Sequence, residues 1–408
     1  MKWKRLIALA VIFEATILLA APTALNAQGE TPFISDQISR EETKIFLEES
    51  AIFGQILFLY ATEALEKPPD LRLCAYEMFR LKPNENSCRD KHSAWHSKEE
   101  YELFESDIEG KFGGVGLEVA DRDGKVVVVS PIDGTPAFRA GFKPEDVIVK
   151  VDNKPVLNLM DAVTRLRGKP GASVKITVKR DEREISFNVV REVIIVHAVS
   201  AKTINSPSGA IGYVKVKTFS EIMPEEFRKE IIKLRDQGVN KVILNFRNDP
   251  GGLLWSALDI LYDFARPGDV SMVMRERNKE TVFDTNYVAS ALSKQREPGM
   301  FRDLKIVVLI NKGSASASEI FAGAMKDWGF PVVGSRSFGK GVGQTLFPLA
   351  NGSKLRLTTF EFLVGNSKTK INDVGVIPNY EVPDPAPSPA ETLREDKQLE
   401  KAIEILSR

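Results

Sequence analysis

The chain has 408 residues, 43% of them hydrophobic and 27% charged, so we expect about two or three folded domains and exclude an intrinsically disordered protein. Lysine and arginine together number 56, as do aspartate and glutamate together, and the formal net charge is therefore zero. This balance lacks the basic excess that is typical of nucleic-acid-binding proteins.

The first 27 residues have the pattern of a secretory signal. MKWKR supplies three basic residues, a mostly apolar stretch follows, and small residues precede Ala27. Glu14 interrupts the apolar stretch and Leu25 stands where a small residue is usual, so an uncleaved membrane anchor is the alternative. We expect export to the periplasm with cleavage after Ala27, and membrane anchoring if the signal is retained.

Two cysteines, Cys74 and Cys88, lie in a segment (residues 28–108) that is predicted to be largely helical from the spacing of its apolar residues. In an exported protein they can form a disulfide, which we prefer to two free thiols. Cys88, His92 and His96 recur every four residues and, with Cys74, resemble a zinc-binding set. The turn-forming residues around Cys88 do not favour the helix that this spacing needs, so no metal site is predicted.

From residue 113 the sequence changes to short β-rich runs separated by Gly, Pro and Asp turns. Its GGVGLE loop is neither a Walker loop nor a full dinucleotide fingerprint, and no helix follows it. Val115, Gly116 and Leu117 precede a strand, where free N–H groups can bind a terminal carboxylate while the strand edge pairs with an extended peptide. The order of elements resembles a PDZ domain in its permuted bacterial form. A small β-domain with an incidental glycine loop is the alternative.

After about residue 195 strands and helices alternate, which is typical of an α/β core. A Pro/Ala-rich linker, VPDPAPSPAE, then leads to a short amphipathic helix. The predicted division is a signal peptide (1–27), an N-terminal helical segment (28–108), a PDZ domain (109–193), an α/β core (194–384) and a C-terminal linker with a helix (385–408).

Three serines, Ser314, Ser316 and Ser318, alternate with alanine where an apolar strand gives way to a helix. A helix start needs only one capping residue, so the string has more hydroxyls than capping requires. A nucleophilic serine also needs a base, and His197, in an apolar strand, is a poor candidate. Lys340, between two glycines, can serve if burial keeps its amine neutral, although such a lysine is ordinarily a surface residue.

These segments resemble the carboxy-terminal processing (tail-specific) proteases. The similarity is carried, in the family's order, by CRDKHS, FGGVGLEV, RNDPGGLL, NKGSASASEIFAGAMKD and SFGKGVGQ. The resemblance implies that Ser316 is the nucleophile, that Lys340 is the base and that Gln344 assists it. Asp327 matches an acid often counted with the catalytic set, whereas the simpler interpretation is a solvated Asp at a helix end.

The oxyanion site is expected at the start of the serine helix, where unpaired N–H groups and the helix dipole favour negative charge. Ala317 can give one donor, and Gly251 or Gly252 of the DPGG turn can give the second, since glycine permits close approach. The turn departs from the family pattern, because Asp249 stands where Asn is usual and Asn245 where Asp is usual.

Arg167, at the end of a predicted PDZ helix, resembles a position that some family members use to couple the PDZ domain to the catalytic lobe. The alternative is a cation that is favoured at any helix C-terminus.

The resemblance implies a multi-domain α/β protein with an inserted PDZ domain and a crotonase-like catalytic core. The expected function is an exported serine endopeptidase that needs no cofactor and cleaves proteins near unstructured C-termini that its PDZ domain binds. A catalytically decayed PDZ scaffold is the alternative, and a crotonase-like acyl transferase would leave the PDZ segment unexplained. An adaptor protein and a homo-oligomer stay open.

Overall fold

The computed structural model describes residues 40–66, 68, 70–80, 90–384 and 396–408. The predicted signal and Cys88 lie outside these residues, as does nearly all of the predicted C-terminal linker. None of the described helices has the length and hydropathy that crossing a bilayer requires.

The helices in the described residues are α1 (Arg40–Thr62), α2 (Leu71–Arg80), α3 (Lys98–Glu109), α4 (Pro136–Ala140), α5 (Leu159–Leu166), α6 (Met223–Asp236), α7 (Leu254–Tyr262), α8 (Thr285–Ala291), α9 (Ala317–Asp327) and α10 (Lys397–Ser407).

The first strands are β1 (Ala94–His96), β2 (Lys111–Gly114), β3 (Leu117–Arg122), β4 (Lys125–Pro131), β5 (Val147–Val151), β6 (Lys154–Pro155), β7 (Ser173–Arg180), β8 (Arg183–Val190), β9 (Glu192–Ile195) and β10 (Val199–Ser206). The later strands are β11 (Gly209–Val216), β12 (Lys241–Asn245), β13 (Val270–Glu276), β14 (Lys279–Asp284), β15 (Lys305–Ile310), β16 (Val332–Gly334), β17 (Val342–Pro348), β18 (Lys354–Val364), β19 (Thr369–Lys370) and β20 (Tyr380–Glu381).

The chain forms two compact units, one from the described part of residues 1–101 with residues 343–360, and one from residues 102–342 with residues 361–408. In the first unit, α1 and α2 share an apolar core with the start of β18. Strand β1 pairs antiparallel with that part of β18, with Ala94 opposite Arg356. The predicted N-terminal helical segment therefore completes its core with residues from far along the chain.

Cys74 is fully buried in the core of the first unit and is disulfide-bonded. Because Cys88 lies outside the described residues, its pairing with Cys74 stays a prediction. Within the described part of the chain, no cluster of three or more His, Cys, Asp or Glu side chains could hold a metal ion.

The second unit contains the predicted PDZ domain. Its antiparallel sheet has the strand order β3-β4-β5-β7-β8, and its core is built mainly from valine and isoleucine side chains of these strands. Such β-branched residues pack well on a pleated surface. Strand β3 follows the glycine loop and lies at an edge of the sheet, next to α5.

The α/β core of the second unit has a sheet with the order β10-β11-β12-β15-β16-β20. Strands β11, β12, β15 and β16 are parallel, and their residues are almost all apolar because helices cover the sheet. Helix α10 buries Ala402 and Leu406 against Ile243 and Val307 of this sheet. The predicted α/β fold class is confirmed.

The carboxyl ends of β12 and β15 lie side by side, because these neighbouring parallel strands pair Leu244 with Val308. Ligands of open α/β sheets bind at this edge. The DPGG turn leaves β12 here and the serine string leaves β15 here. Asn248 N–H donates to Asn311 Oδ1 at 2.8 Å, which ties the two loops together.

Candidate active site

Two of the three serines are structural. The buried Ser314 hydroxyl donates to the Phe246 carbonyl at 2.9 Å, and the buried Ser318 hydroxyl donates to the Asp249 carbonyl at 3.1 Å. Both carbonyls belong to the segment that follows β12. The two outer serines therefore attach the serine loop (residues 314–318) to the neighbouring turn, which explains why more than one hydroxyl is present.

The middle serine, Ser316, is the N-cap of α9 and is only partly buried. Its backbone has φ 56° and ψ −115°, a conformation that costs free energy in a residue other than glycine and that is often found at functional sites. Ser316 is thus an accessible hydroxyl at a helix N-terminus, on a strained backbone.

The DPGG turn approaches Ser316 so closely that only glycine fits. Gly251 has φ +95°, and a Cβ there would lie 2.6 Å from the Ala315 carbonyl oxygen and 3.0 Å from Ser316 Cβ. Gly252 has φ +144°, and a Cβ there would lie 2.3 Å from the Phe219 carbonyl oxygen. The distances of 2.6 and 2.3 Å to carbonyl oxygens are shorter than a carbon–oxygen contact permits. The two glycines bring backbone amides to the side of Ser316.

Three N–H groups near Ser316 were predicted as oxyanion donors. The Gly251 N–H already donates to Asp249 Oδ1 at 2.9 Å. The N–H groups of Ala317 and Gly252 have no acceptor among the described residues. Ala317 and Gly252 are therefore the amides that remain available to a bound oxyanion.

Glu319, three residues after Ser316, joins the serine loop to the lysine loop. Its buried carboxylate accepts the Ser316 N–H at 2.8 Å and the Lys340 N–H at 2.9 Å on Oε2. Oε1 accepts the Ser337 hydroxyl and the Gly339 N–H, each at 2.6 Å. One carboxylate thus fixes the backbones of the predicted nucleophile and the predicted base relative to each other.

Lys340 lies in a loop that is held on a second side. A Cβ at Gly341 would lie 2.3 Å from the Asn372 backbone nitrogen, and the Phe338 N–H donates to the Ser314 carbonyl at 3.0 Å. The lysine itself is half-buried.

Gln344 belongs to the first unit, where its Nε2 donates to Thr358 Oγ1 at 3.2 Å. Thr358 Oγ1 in turn donates to Asp90 Oδ1 at 3.1 Å, and Asp90 comes from the CRDKHS turn. The side chain of Gln344 is therefore oriented by a polar network within its own unit.

Among the described residues, the Asp327 carboxylate hydrogen-bonds neither to the serine string nor to the loop that carries Lys340. Asp327 ends α9, where its Oδ2 accepts the Asn366 N–H at 2.6 Å and its Oδ1 accepts the Ser367 hydroxyl. Asp327 is ten residue steps along the helix from Ala317, which corresponds to about 15 Å along the helix axis. These hydrogen bonds to the turn after β18 differ from the solvated carboxylate that was the simpler interpretation of the sequence.

His197 also lies apart from these loops. Its Nδ1 is 2.5 Å from Glu226 Oε1 at the start of α6, and its side chain is largely exposed. The expectation that it is not the base agrees with this placement.

Arg167 links the PDZ domain to the helix that precedes it. Its guanidinium donates to the Leu103 carbonyl at 3.2 Å and to the Ser106 hydroxyl, both on α3, and lies 4.2 Å from the centre of the Phe112 ring. These partners lie outside α5, the helix that Arg167 caps. Its side chain therefore does more than compensate the dipole of its own helix.

The predicted carboxylate-binding loop precedes the edge strand β3. The Val115 and Gly116 carbonyls accept hydrogen bonds from Ala137 and Ile132 at 2.8 and 2.9 Å, whereas their N–H groups have no acceptor among the described residues. Gly116 has φ +81° and packs against Thr135. The loop thus offers free donors beside a strand edge.

Two family matches divide the sequence as the structure does. Peptidase family S41 matches residues 210–382, and the PDZ domain matches residues 113–190. The carboxy-terminal processing protease CtpB of Bacillus subtilis (strain 168) is 32% identical over 305 residues, which are 74% of this chain and 61% of the relative. A CtpA-like serine protease of Staphylococcus haemolyticus (strain JCSC1435) is 34% identical over 300 residues, which are 73% of this chain and 58% of the relative. This chain belongs to the carboxy-terminal processing protease family.

The photosystem II D1 C-terminal processing protease shares the fold of this family member. Its structure aligns with 88% of this chain and 97% of its own, with a TM-score of 0.51 and 22% sequence identity. The present chain spans 61% and 58% of the length of the two curated relatives.

Two residues that position the site, Glu319 and Thr358, were not predicted from the sequence. Glu319 could have been found, since Ser-x-x-Glu at a helix start is the spacing at which the acid accepts the N-cap N–H. Thr358 had no such signal, because only the pairing of distant segments brings it to Gln344.

Proposed function

We propose that this protein is a serine endopeptidase that cleaves proteins near their C-termini, with Ser316 as nucleophile and Lys340 as general base. The observation that carries the proposal is the Glu319 carboxylate, which accepts the backbone N–H groups of both residues on one oxygen. Precise relative placement of reacting groups supplies a large share of enzymatic rate enhancement.

The reaction that fits these groups is acyl transfer. Ser316 Oγ attacks the scissile carbonyl carbon while its proton passes to the neutral amine of Lys340. The carbonyl oxygen becomes an oxyanion, which the free N–H groups of Ala317 and Gly252 stabilise. Lys340 then gives its proton to the leaving amine. Water then attacks the acyl-enzyme carbonyl carbon while its proton passes to Lys340. Lys340 returns this proton to Ser316 Oγ as the ester bond breaks.

Gln344 is proposed to assist Lys340, as the family resemblance implies. Its support is the hydrogen bond to Thr358, which orients the amide. Asp327 has no part in this mechanism, since its carboxylate is committed to the turn after β18.

The PDZ domain is proposed to bind the substrate's C-terminus. The free N–H groups of Val115 and Gly116 suit a terminal carboxylate. The edge of β3, which begins at Leu117, suits an extended peptide that adds a strand to the sheet. The partners of this protein would then be proteins with unstructured C-termini.

We also propose that the protein is exported. Its support is the signal-like pattern of residues 1–27 together with the disulfide at Cys74, since disulfides persist in oxidising compartments. N-terminal sequencing of the protein isolated from cells tests this proposal. Cleavage after Ala27 is the expected result, and a retained N-terminus would leave it membrane-anchored.

A fluorophosphonate probe tests the catalytic proposal, because it labels only an activated serine. The wild-type protein should be labelled, and a peptide with a free C-terminal carboxylate should be cleaved faster than its amidated form. The Ser316→Ala variant is the control and should remain unlabelled. Peptide binding without labelling or cleavage would instead identify a PDZ scaffold whose protease core has decayed.

A further inference from the structure

Asp249 is a buried acid at the nucleophile to which the proposed mechanism gives no role. Asp249 has no exposed surface. Its backbone carbonyl accepts the Ala315 N–H at 3.0 Å and the Ser318 hydroxyl at 3.1 Å, so it holds the chain on both sides of Ser316. Its Oδ1 accepts the Gly251 N–H at 2.9 Å and so shapes the turn that carries Gly252.

The second carboxyl oxygen of Asp249 is unsatisfied. Oδ2 is buried and has no hydrogen-bond partner among the described residues. A buried carboxylate that lacks partners is far costlier than the neutral acid, because burial removes the water that stabilises its charge. The geometry therefore favours a proton on this oxygen.

The neighbouring charges do not replace that water. Lys215 of β11 donates its ammonium to the Arg247 carbonyl, and the Arg247 guanidinium pairs with Asp396 at 2.8 Å. On the helix side Asp249 meets the neutral Ser318 hydroxyl. No cation forms a salt bridge with Asp249 among the described residues.

Electrostatics agree with this geometry. Burial raises the pKa of Asp249 to about 7, against the opposing effects of the Gly251 N–H, Ser318 and Lys215. Burial, together with the nearby charges of Arg247 and Lys217, lowers the pKa of Lys215 to about 8. The folded-state pKa of Asp249 is raised, so its neutral form dominates below about 7 and its charged form above it.

We propose that Asp249 is a positioning residue that works as a neutral carboxylic acid, and that its ionisation inactivates the enzyme. The anion would lie in the turn that presents the Gly252 amide, where the reaction itself develops negative charge. A fixed buried charge of the same sign opposes that development. This inference rests on the proposed function.

The Asp249→Asn variant distinguishes the neutral from the ionised form of this side chain. Its amide cannot ionise, and it keeps an oxygen that accepts the Gly251 N–H. Above pH 7, wild-type kcat should fall roughly tenfold for each pH unit, and the variant should not show this fall. Asp236→Asn, which neutralises an exposed acid at the end of α6, is the control and should keep the wild-type profile.

Coincident profiles of wild type and Asp249→Asn would overturn the proposal. If the Asn variant does not fold, Asp249→Ser provides a second neutral side chain at the same position.

Infrared spectroscopy tests the protonation without activity. In Ser316→Ala protein at pH 6, the carbonyl band of a protonated carboxyl should be present, and it should be lost when Asp249→Asn is added. Absence of that difference would show that Asp249 is ionised and would reject the inference alone. A difference band, together with wild-type protein that cleaves no peptide, would reject the proposed function while leaving the protonated Asp249 in place.

Discussion

Two regions of this protein offer backbone N–H groups to a negative charge, and they are built differently. The PDZ loop at residues 115–117 has free amides beside an edge strand, and its shape depends mainly on Gly116 packing against Thr135. The amides beside Ser316 are fixed by buried polar groups of Glu319, Ser318 and Asp249. The first region is a simple loop, and the second is a network.

The difference corresponds to the two charges that these regions would bind. A terminal carboxylate is a stable anion that arrives with the substrate, so a loop that adjusts on binding suffices. An oxyanion exists only during the reaction, and its donors must already be in position to lower the barrier. Changes at Ser316 should therefore affect turnover, whereas changes in the PDZ loop should affect substrate affinity.

The largest effect is expected at the proposed dyad. Ser316→Ala and Lys340→Ala should each lower kcat by about 10⁴-fold or more, because members of such a unit act together. Thermal unfolding should stay near wild type. Ser314→Ala and Ser318→Ala serve as controls and should retain measurable activity, since their hydroxyls only fasten the loop. Cleavage by purified Lys340→Ala at the wild-type rate would exclude the dyad.

Glu319→Gln should have the next largest effect. The amide keeps one acceptor oxygen and presents an NH₂ group to the other pair of donors, so the contacts through which residue 319 joins the backbones of Ser316 and Lys340 are weakened. A displacement of about 1 Å can cost about a hundredfold in rate, and we expect kcat to fall by that order with KM little changed.

Ser337→Ala is the matched control for Glu319, because it removes one donor from Oε1 and leaves the contacts of Oε2 intact. Its kcat should fall much less. Equal kcat losses in the two variants would mean that Glu319 acts through general stability rather than through the relative position of Ser316 and Lys340.

Arg167→Ala tests whether the PDZ domain and its preceding helix act on turnover. Its contacts to Leu103 and Ser106 would be lost, and we expect a clear fall in kcat with an almost unchanged melting temperature. Arg165→Ala is the control, since Arg165 pairs with Asp161 inside the PDZ domain. A variant that melts slightly earlier but turns over normally would restrict Arg167 to helix capping.

Gly116→Ala should have the smallest effect on turnover and act on affinity. A Cβ at this position would lie 2.3 Å from Thr135 Cβ, so the loop must shift. Peptide binding to Ser316→Ala protein, measured by fluorescence anisotropy, should weaken, and KM of the active protein should rise with kcat nearly constant. Gly124 also has a positive φ, +73°, but its surroundings are open, so peptide affinity of the Gly124→Ala control should stay near wild type.

The sequence by itself determined the order of the domains, the fold class and the identity of Ser316 and Lys340 as candidates. Short-range patterns carry this information, since strand and helix periods, glycine turns and the serine string are local features. It could not choose between the two roles of Asp327, because both place an acid at a helix end. The hydrogen bond of Asp327 to the turn at Asn366, some 40 residues later in the chain, is visible only in the tertiary structure.

Tertiary structure alone decided which groups surround Ser316. Glu319 meets Lys340, and Asp249 meets Ser318, because neighbouring parallel strands deliver their loops to one edge of the sheet. Burial, which sequence spacing does not specify, then changes the chemistry of these groups. The sequence shows Asp249 only as an acid in a glycine turn, whereas its complete burial beside Ser316 favours the neutral acid.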